Sequence, residues 1–321
     1  MSAHRIEQRA VAGYDAFALC SDAVGGIEAA FVPGAGMVGC SMRHRGAELL
    51  GQRKGLEHYV EARSTMGIPL LHPFANRVSE DHFRVAGDEI DLGKAPDRLD
   101  RDPNGLAIHG LLAGISGWEI TASEAGSDGA RLAARFDFAA HEELVAAFPF
   151  PHVVTLDVRL DRAELSVGTE VEATGDVAVP ISFGFHPYLH LPDAPRGEWE
   201  IEAPVSEHLV LDERSIPTGE RRTEPIEPGA LGKRTFDDAY AGVEDGTVFR
   251  VAGGGRRLEV EFTEGFPIAV LYAPDDDDVI CFEPMTAPTN ALVDGPPELR
   301  FVQPGERHAA TWRLRIVATQ P

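Results

Sequence analysis

A carboxylate and an imidazole set in apolar surroundings can take one proton from a substrate and deliver another. This chain offers both. Glu283 lies in Ile280-Cys281-Phe282-Glu283-Pro284-Met285, and His186 in Phe183-Gly184-Phe185-His186-Pro187-Tyr188. An imidazole titrates near neutral pH, and the following proline pushes the His186 backbone toward extended geometry. Each positioned proton-transfer group is worth about 10²–10⁴ in rate. Two more polar groups sit in similar settings. Arg77 follows Asn76 at the end of the apolar, proline-bearing run 67–78, and His109 stands in Ile108-His109-Gly110-Leu111-Leu112. A guanidinium after so apolar a segment needs a partner or a substrate. Arg77 and His109 are suited to orienting polar substrate atoms. Each residue also has a plainer reading. Glu283 alone fits a buried ion pair with an arginine such as Arg77. A lone buried histidine is more often a hydrogen-bonded core residue, which is how His72, His152 and His190 are read.

Several sharper patterns fail on context. Gly34-Ala35-Gly36-Met37-Val38-Gly39 matches the dinucleotide-binding glycine pattern, yet Cys40–Gly46 shows no helical apolar face, and that pattern needs a helix next. His186 and His190 have the spacing of helical zinc ligands, but Pro187 opposes a helix there. Asp275-Asp276-Asp277-Asp278 lacks the glycine and spaced ligands of a calcium loop and reads as a solvated turn. Gly114-Ile115-Ser116-Gly117-Trp118 ends in tryptophan where a nucleophile elbow needs glycine. No metal and no cofactor is expected.

The elements that must position these groups are strands. Val154, Leu156, Val158 and Leu160 alternate with polar residues, turn near Asp161-Arg162, and resume in Leu165, Val167, Val171 and Ala173. That predicts a long antiparallel hairpin with one wet face. Leu132, Ala134, Phe136 and Phe138 repeat the pattern, as do Leu258, Val260 and Phe262, and Trp312, Leu314 and Ile316. Helical periodicity is weak and confined to Leu56–Arg63. The 33 Gly and 23 Pro punctuate the chain with no long linker between. One antiparallel β domain spanning 1–321 is expected.

Composition narrows the partners. Lys+Arg 29 against Asp+Glu 52 gives a net charge of -23, which disfavours nucleic acid and anionic membrane surfaces. It leaves a small anionic substrate open, because a local arginine can outweigh a distant field. Three scattered cysteines, Cys20, Cys40 and Cys281, form neither a disulfide framework nor a zinc pattern and suit a reducing cytoplasm. No secretory signal and no membrane-spanning apolar run is seen.

Taken in order, the segments 68–78 with Asn76-Arg77, His109-Gly110 with Trp118, Phe185-His186-Pro187-Tyr188, and Glu283-Pro284 with Asn290-Ala291-Leu292 resemble the aldose 1-epimerase (galactose mutarotase-like) family. The likeness runs from Glu48-Leu49-Leu50 to Leu292. It implies an all-β fold, a large antiparallel β-supersandwich with a sugar cleft on one sheet. It also implies cofactor-free interconversion of the α and β anomers of an aldose. By that resemblance Glu283 is the general base on the anomeric hydroxyl and His186 the general acid on the ring oxygen. Arg77, Asn76 and His109 fall on the sugar-binding side. Asp237, in Thr235-Phe236-Asp237-Asp238, matches the family's sugar-binding aspartate, with Asp238 as the alternative. The chain departs from galactose mutarotases at His186–Leu191 and at Leu111, which leaves the sugar open. A hexose-6-phosphate 1-epimerase is a close variant, for which Arg43, Arg45, Arg53 and Lys54 are rim candidates. A glycoside hydrolase would use two carboxylates, here Glu283 and Asp237. A sugar-binding protein without turnover is the remaining alternative.

Overall fold

Where apolar and polar residues alternate, the chain forms strands. The computed structural model describes residues 3–318. His152–Asp161 and Glu164–Ala173 pair antiparallel, with Leu160 opposite Leu165 and Arg162 turning the chain at φ 52. Val154, Leu156, Val158 and Leu160 are buried while Arg159 is exposed. Each such burial stabilises by about 1.5–3 kcal/mol before the entropy of ordering is charged against it. The hairpin lies inside a nine-stranded sheet that also takes in Ala130–Asp137, Arg307–Ala318 and Arg256–Glu264. Phe138 falls just past its strand, in a short 3-10 turn, but stays buried. The weak helical signal is a real helix, Gly55–Ala62.

A seven-stranded sheet faces the first. Its order is Pro217–Thr223, Glu207–Leu211, Phe236–Ala241, Ile268–Ala273, Cys281–Met285, Gly184–Phe185 and Leu70–Leu71. Aromatic pairs bridge the two inner faces. Phe185 meets Trp312 with ring centroids 5.5 Å apart, and Phe249 meets Phe282 at 5.4 Å. The strands are those the alternation predicts, and their packing is the large antiparallel sandwich that the family resemblance implies. A third sheet, a meander of five strands, runs from His4–Val11 to Ala47–Glu48. The glycine-rich segment 34–39 is a 3-10 turn entering the strand Val38–His44, not a helix start.

The pleat of the seven-stranded sheet decides which residues leave the core. Phe282 points inward, so Cys281 and Glu283 point to the opposite face. Directly opposed residues share a face: Glu283 is opposite Val270, Cys281 opposite Tyr272, and Tyr272 opposite Asp237. Asp237, Tyr272, Cys281 and Glu283 therefore line one outer surface. Asp238 falls on the other face with Tyr240 and His208, where it meets the His208 imidazole at 3.4 Å.

Candidate active site

Glu283 sits on the floor of this surface, 1% exposed. Its neighbour in the sheet is the short strand Gly184–Phe185. Gly184 is required there, because a Cβ would lie 2.1 Å from Met285 Sδ and 2.7 Å from the Pro284 carbonyl oxygen. That close approach brings His186, two residues on, beside the glutamate: His186 Nε2 lies 3.2 Å from Glu283 Oε1. The imidazole stacks on Tyr188 at 4.2 Å and 11°. The Tyr188 hydroxyl is 3.3 Å from His186 Nε2 and 2.6 Å from Thr65 Oγ1. His186 Nδ1 and Glu283 Oε2 are buried and make no hydrogen bond within the protein.

His109 completes the wall, edge-on to His186 at 5.5 Å. Its backbone is left-handed, φ 63, followed by Gly110 at φ 77. Gly110 admits no side chain, since a Cβ would lie 2.2 Å from the His72 carbonyl oxygen. The His109 amide donates to the Asn76 carbonyl at 3.0 Å, so Asn76, itself at φ 55 and 7% exposed, helps place the imidazole. Beneath this loop His72 and His152 form a fully buried pair, Nε2 to Nε2 at 2.7 Å. The structural reading of both histidines holds. His190 bonds through Nδ1 to the Asp278 carbonyl at the rim, apart from any shared ligand set with His186.

Arg77 is held from two sides. Its Nε donates to Asp102 Oδ2 at 2.8 Å, and Nη2 lies 3.7 Å from Asp237 Oδ2. Asp102 is fixed by amides from Asn104 and Leu106 at 2.9 Å. Arg77 thus bonds to Asp102 rather than to Glu283. The Asn290 amide donates to the Arg77 carbonyl, and its Oδ1 accepts from the Ser79 amide. This ties the C-terminal motif to the arginine strand.

The electrostatics follow from depth. Burial first, then the Asp237 charge, pushes the Glu283 carboxyl well above its ordinary value, while Arg77 pulls it back. Burial, then His109 and Arg53, pushes His186 well down. Burial, with Arg77 and Arg53, takes His109 to about 3, so it acts as a neutral donor and acceptor. At Asp102 burial raises the pKa, but the bonds from Arg77 and Leu106 outweigh it and the net shift is downward. A raised carboxyl beside a lowered imidazole leaves one proton on the pair, shared across 3.2 Å.

Glu283, His186, His109, Arg77 and Asp237 thus gather at one surface, and Asn76 backs it through its carbonyl to His109. Sequence reading did not single out Tyr272, Asp102, Thr65 or Cys281. Only Asp102 carried a usable signal, the Asp-Pro-Asn-Gly turn whose first side chain caps its own loop. Arg53 was one of four basic rim candidates. It stands over the Tyr188 ring at 4.9 Å and 3.7 Å from Asp277, whereas Arg43 reaches Glu48.

Comparison with known proteins bears on the fold and the family. The aldose 1-epimerase family profile matches residues 33–315. The uncharacterized protein YihR of Escherichia coli K12 is 23% identical over 267 residues, covering 78% of this chain and 81% of its own. A galactose mutarotase-like protein from Clostridium acetobutylicum superposes with a TM-score of 0.86 at 18% identity, over 99% of each chain. Galactose 1-epimerase from Lactobacillus acidophilus NCFM superposes with a TM-score of 0.74 at 14% identity, over 100% of each. At such identities the superpositions establish the fold, and the profile establishes the kinship. The chain belongs to the aldose 1-epimerase family, isomerases that act on sugars.

Proposed function

We propose that this protein interconverts the α and β anomers of an aldose by acid–base ring opening and reclosure. The observation that carries this reading is the Glu283–His186 contact of 3.2 Å, with one buried atom on each residue left unbonded. Glu283 takes the proton from the anomeric hydroxyl as His186 gives one to the ring oxygen, and the C1–O5 bond breaks. The aldehyde turns, the ring closes on its other face, and the two protons return by the same groups. The neutral pair and the carboxylate–imidazolium pair hold the same number of protons. Moving the shared proton onto His186 therefore arms the site without exchange with solvent. Arg77, His109, Asp237 and Asn76 orient the sugar hydroxyls. The three buried, unpaired cysteines suit a reducing, cytoplasmic location.

Magnetisation-exchange NMR on a panel of free aldoses tests the proposal. Protein-dependent exchange is expected for at least one sugar. No exchange with any of them, despite saturable binding, would leave a sugar-binding protein instead. A second reading rests on Arg53, whose guanidinium faces the cleft: the substrate carries an anionic substituent such as a 6-phosphate. A higher kcat/KM for glucose 6-phosphate than for glucose, lost on Arg53→Gln, separates it from the first.

A further inference from the structure

Cys281 is not used by the proton chemistry above, yet it shares the face of Glu283 by the two-residue period of its strand. The thiol is free and fully buried. One donor atom each of His186, Cys281 and Glu283 lies within 4.8 Å of the other two. In a tetrahedral zinc site the bond lengths to nitrogen, oxygen and sulfur place such donors about 3.5 Å apart. Side-chain shifts of about an ångström, small beside the reach of these side chains, would close the set. A further feature points to a ligand: His186 Nδ1 and Glu283 Oε2 are buried without partners. A thiolate with an imidazole selects zinc-like cations over magnesium or calcium.

We propose that His186, Cys281 and Glu283 form a site for one zinc-class divalent cation, and that its occupancy blocks the sugar chemistry. Binding releases the thiol proton and the pair's shared proton to solvent. The carboxylate and the imidazole become ligands, so neither is left to move protons. Zinc and sugar therefore exclude each other. The metal site stands on geometry alone; only its inhibitory effect rests on the proposed function.

The test uses the intact protein and Co²⁺ or Zn²⁺ alone. Wild type is expected to bind one Co²⁺ with a cobalt–thiolate charge-transfer band in the near ultraviolet. Zn²⁺ should displace the cobalt. Cys281→Ser should abolish the band and weaken Zn²⁺ binding, measured by chelator competition, on the order of 10- to 100-fold. Should the cysteine variant fold poorly, Glu283→Gln removes a different ligand: the thiolate band can persist, but Zn²⁺ binding should weaken similarly. Zn²⁺ should slow anomer exchange in wild type competitively with sugar, while exchange by Cys281→Ser, whatever its own basal rate, should resist the same metal concentration. Absence of the band, or equal Zn²⁺ affinity in wild type and Cys281→Ser, overturns the site. If the band forms and exchange is absent even without metal, the site stands and the mutarotase reading falls.

Discussion

His152 is fully buried, stacked on Phe138 at 4.3 Å and bonded to His72 Nε2 and the Phe150 carbonyl. Burial takes its pKa from 6.5 to about 4. A group depressed on folding binds fewer protons in the native state, so stability is fully present above 6.5 and drains away as pH falls toward 4. Each pH unit in that window costs about 1.36 kcal/mol. From pH 7 to pH 5 this one residue removes about 2 kcal/mol, and the figure changes little if the native value shifts by a unit. That is a large part of a net stability of about 5–15 kcal/mol. His72 is pushed down as well, by burial and then by His152, so the drain on the native state is steeper than one residue supplies. The consequence reaches the cleft, because the His72 carbonyl receives the Leu111 amide beneath the His109 loop. Urea unfolding followed by tryptophan fluorescence, at pH 7 and pH 5, measures the effect. His152→Gln costs some stability at both values through altered packing. It should lose about 2 kcal/mol less than wild type between them. Equal losses, within about 0.5 kcal/mol, refute the account.

Glu283→Gln should lower kcat by about 10²–10⁴ while leaving sugar binding measurable by calorimetry. The same variant should gain stability relative to wild type as pH rises. The native carboxyl is raised above 4.5, so folding is penalised at higher pH and not below 4.5; comparing unfolding at pH 4 and pH 8 checks this. The pH profile of kcat/KM should show a broad neutral plateau, since the one-proton pair persists between a lowered imidazole and a raised carboxyl; an acid limb at or above 6.5 would contradict it. Gly110→Ala places a Cβ against the His72 carbonyl at φ 77. It should cost at least about 2 kcal/mol in urea unfolding and raise KM by moving His109.

The strands were legible because alternation is a local property: Leu156, Val158, Leu165 and Val167 state their buried face one residue at a time. The principal site residues were legible from chemical type in unusual company, with the family resemblance assigning their roles. What stayed hidden depended on separation in space. Nothing near Arg77 in sequence announces that Asp102 holds it, because the bond spans 25 residues. Asp237 was preferred to Asp238 only by resemblance; sheet register sends Asp237 toward Arg77 and Asp238 toward His208. His72 and His152 each looked like a satisfied core histidine, but only packing made them each other's partner. Cys281 looked inert until the pleat put its thiol on the face of Glu283. Thus the sequence by itself determined an antiparallel β architecture and, through the family resemblance, the proposed acid–base pair, since patterning and residue chemistry are carried locally. The tertiary structure alone decided where protons and charges sit, because desolvation and Coulomb interaction depend on distances that only the folded sheets bring to a few ångströms.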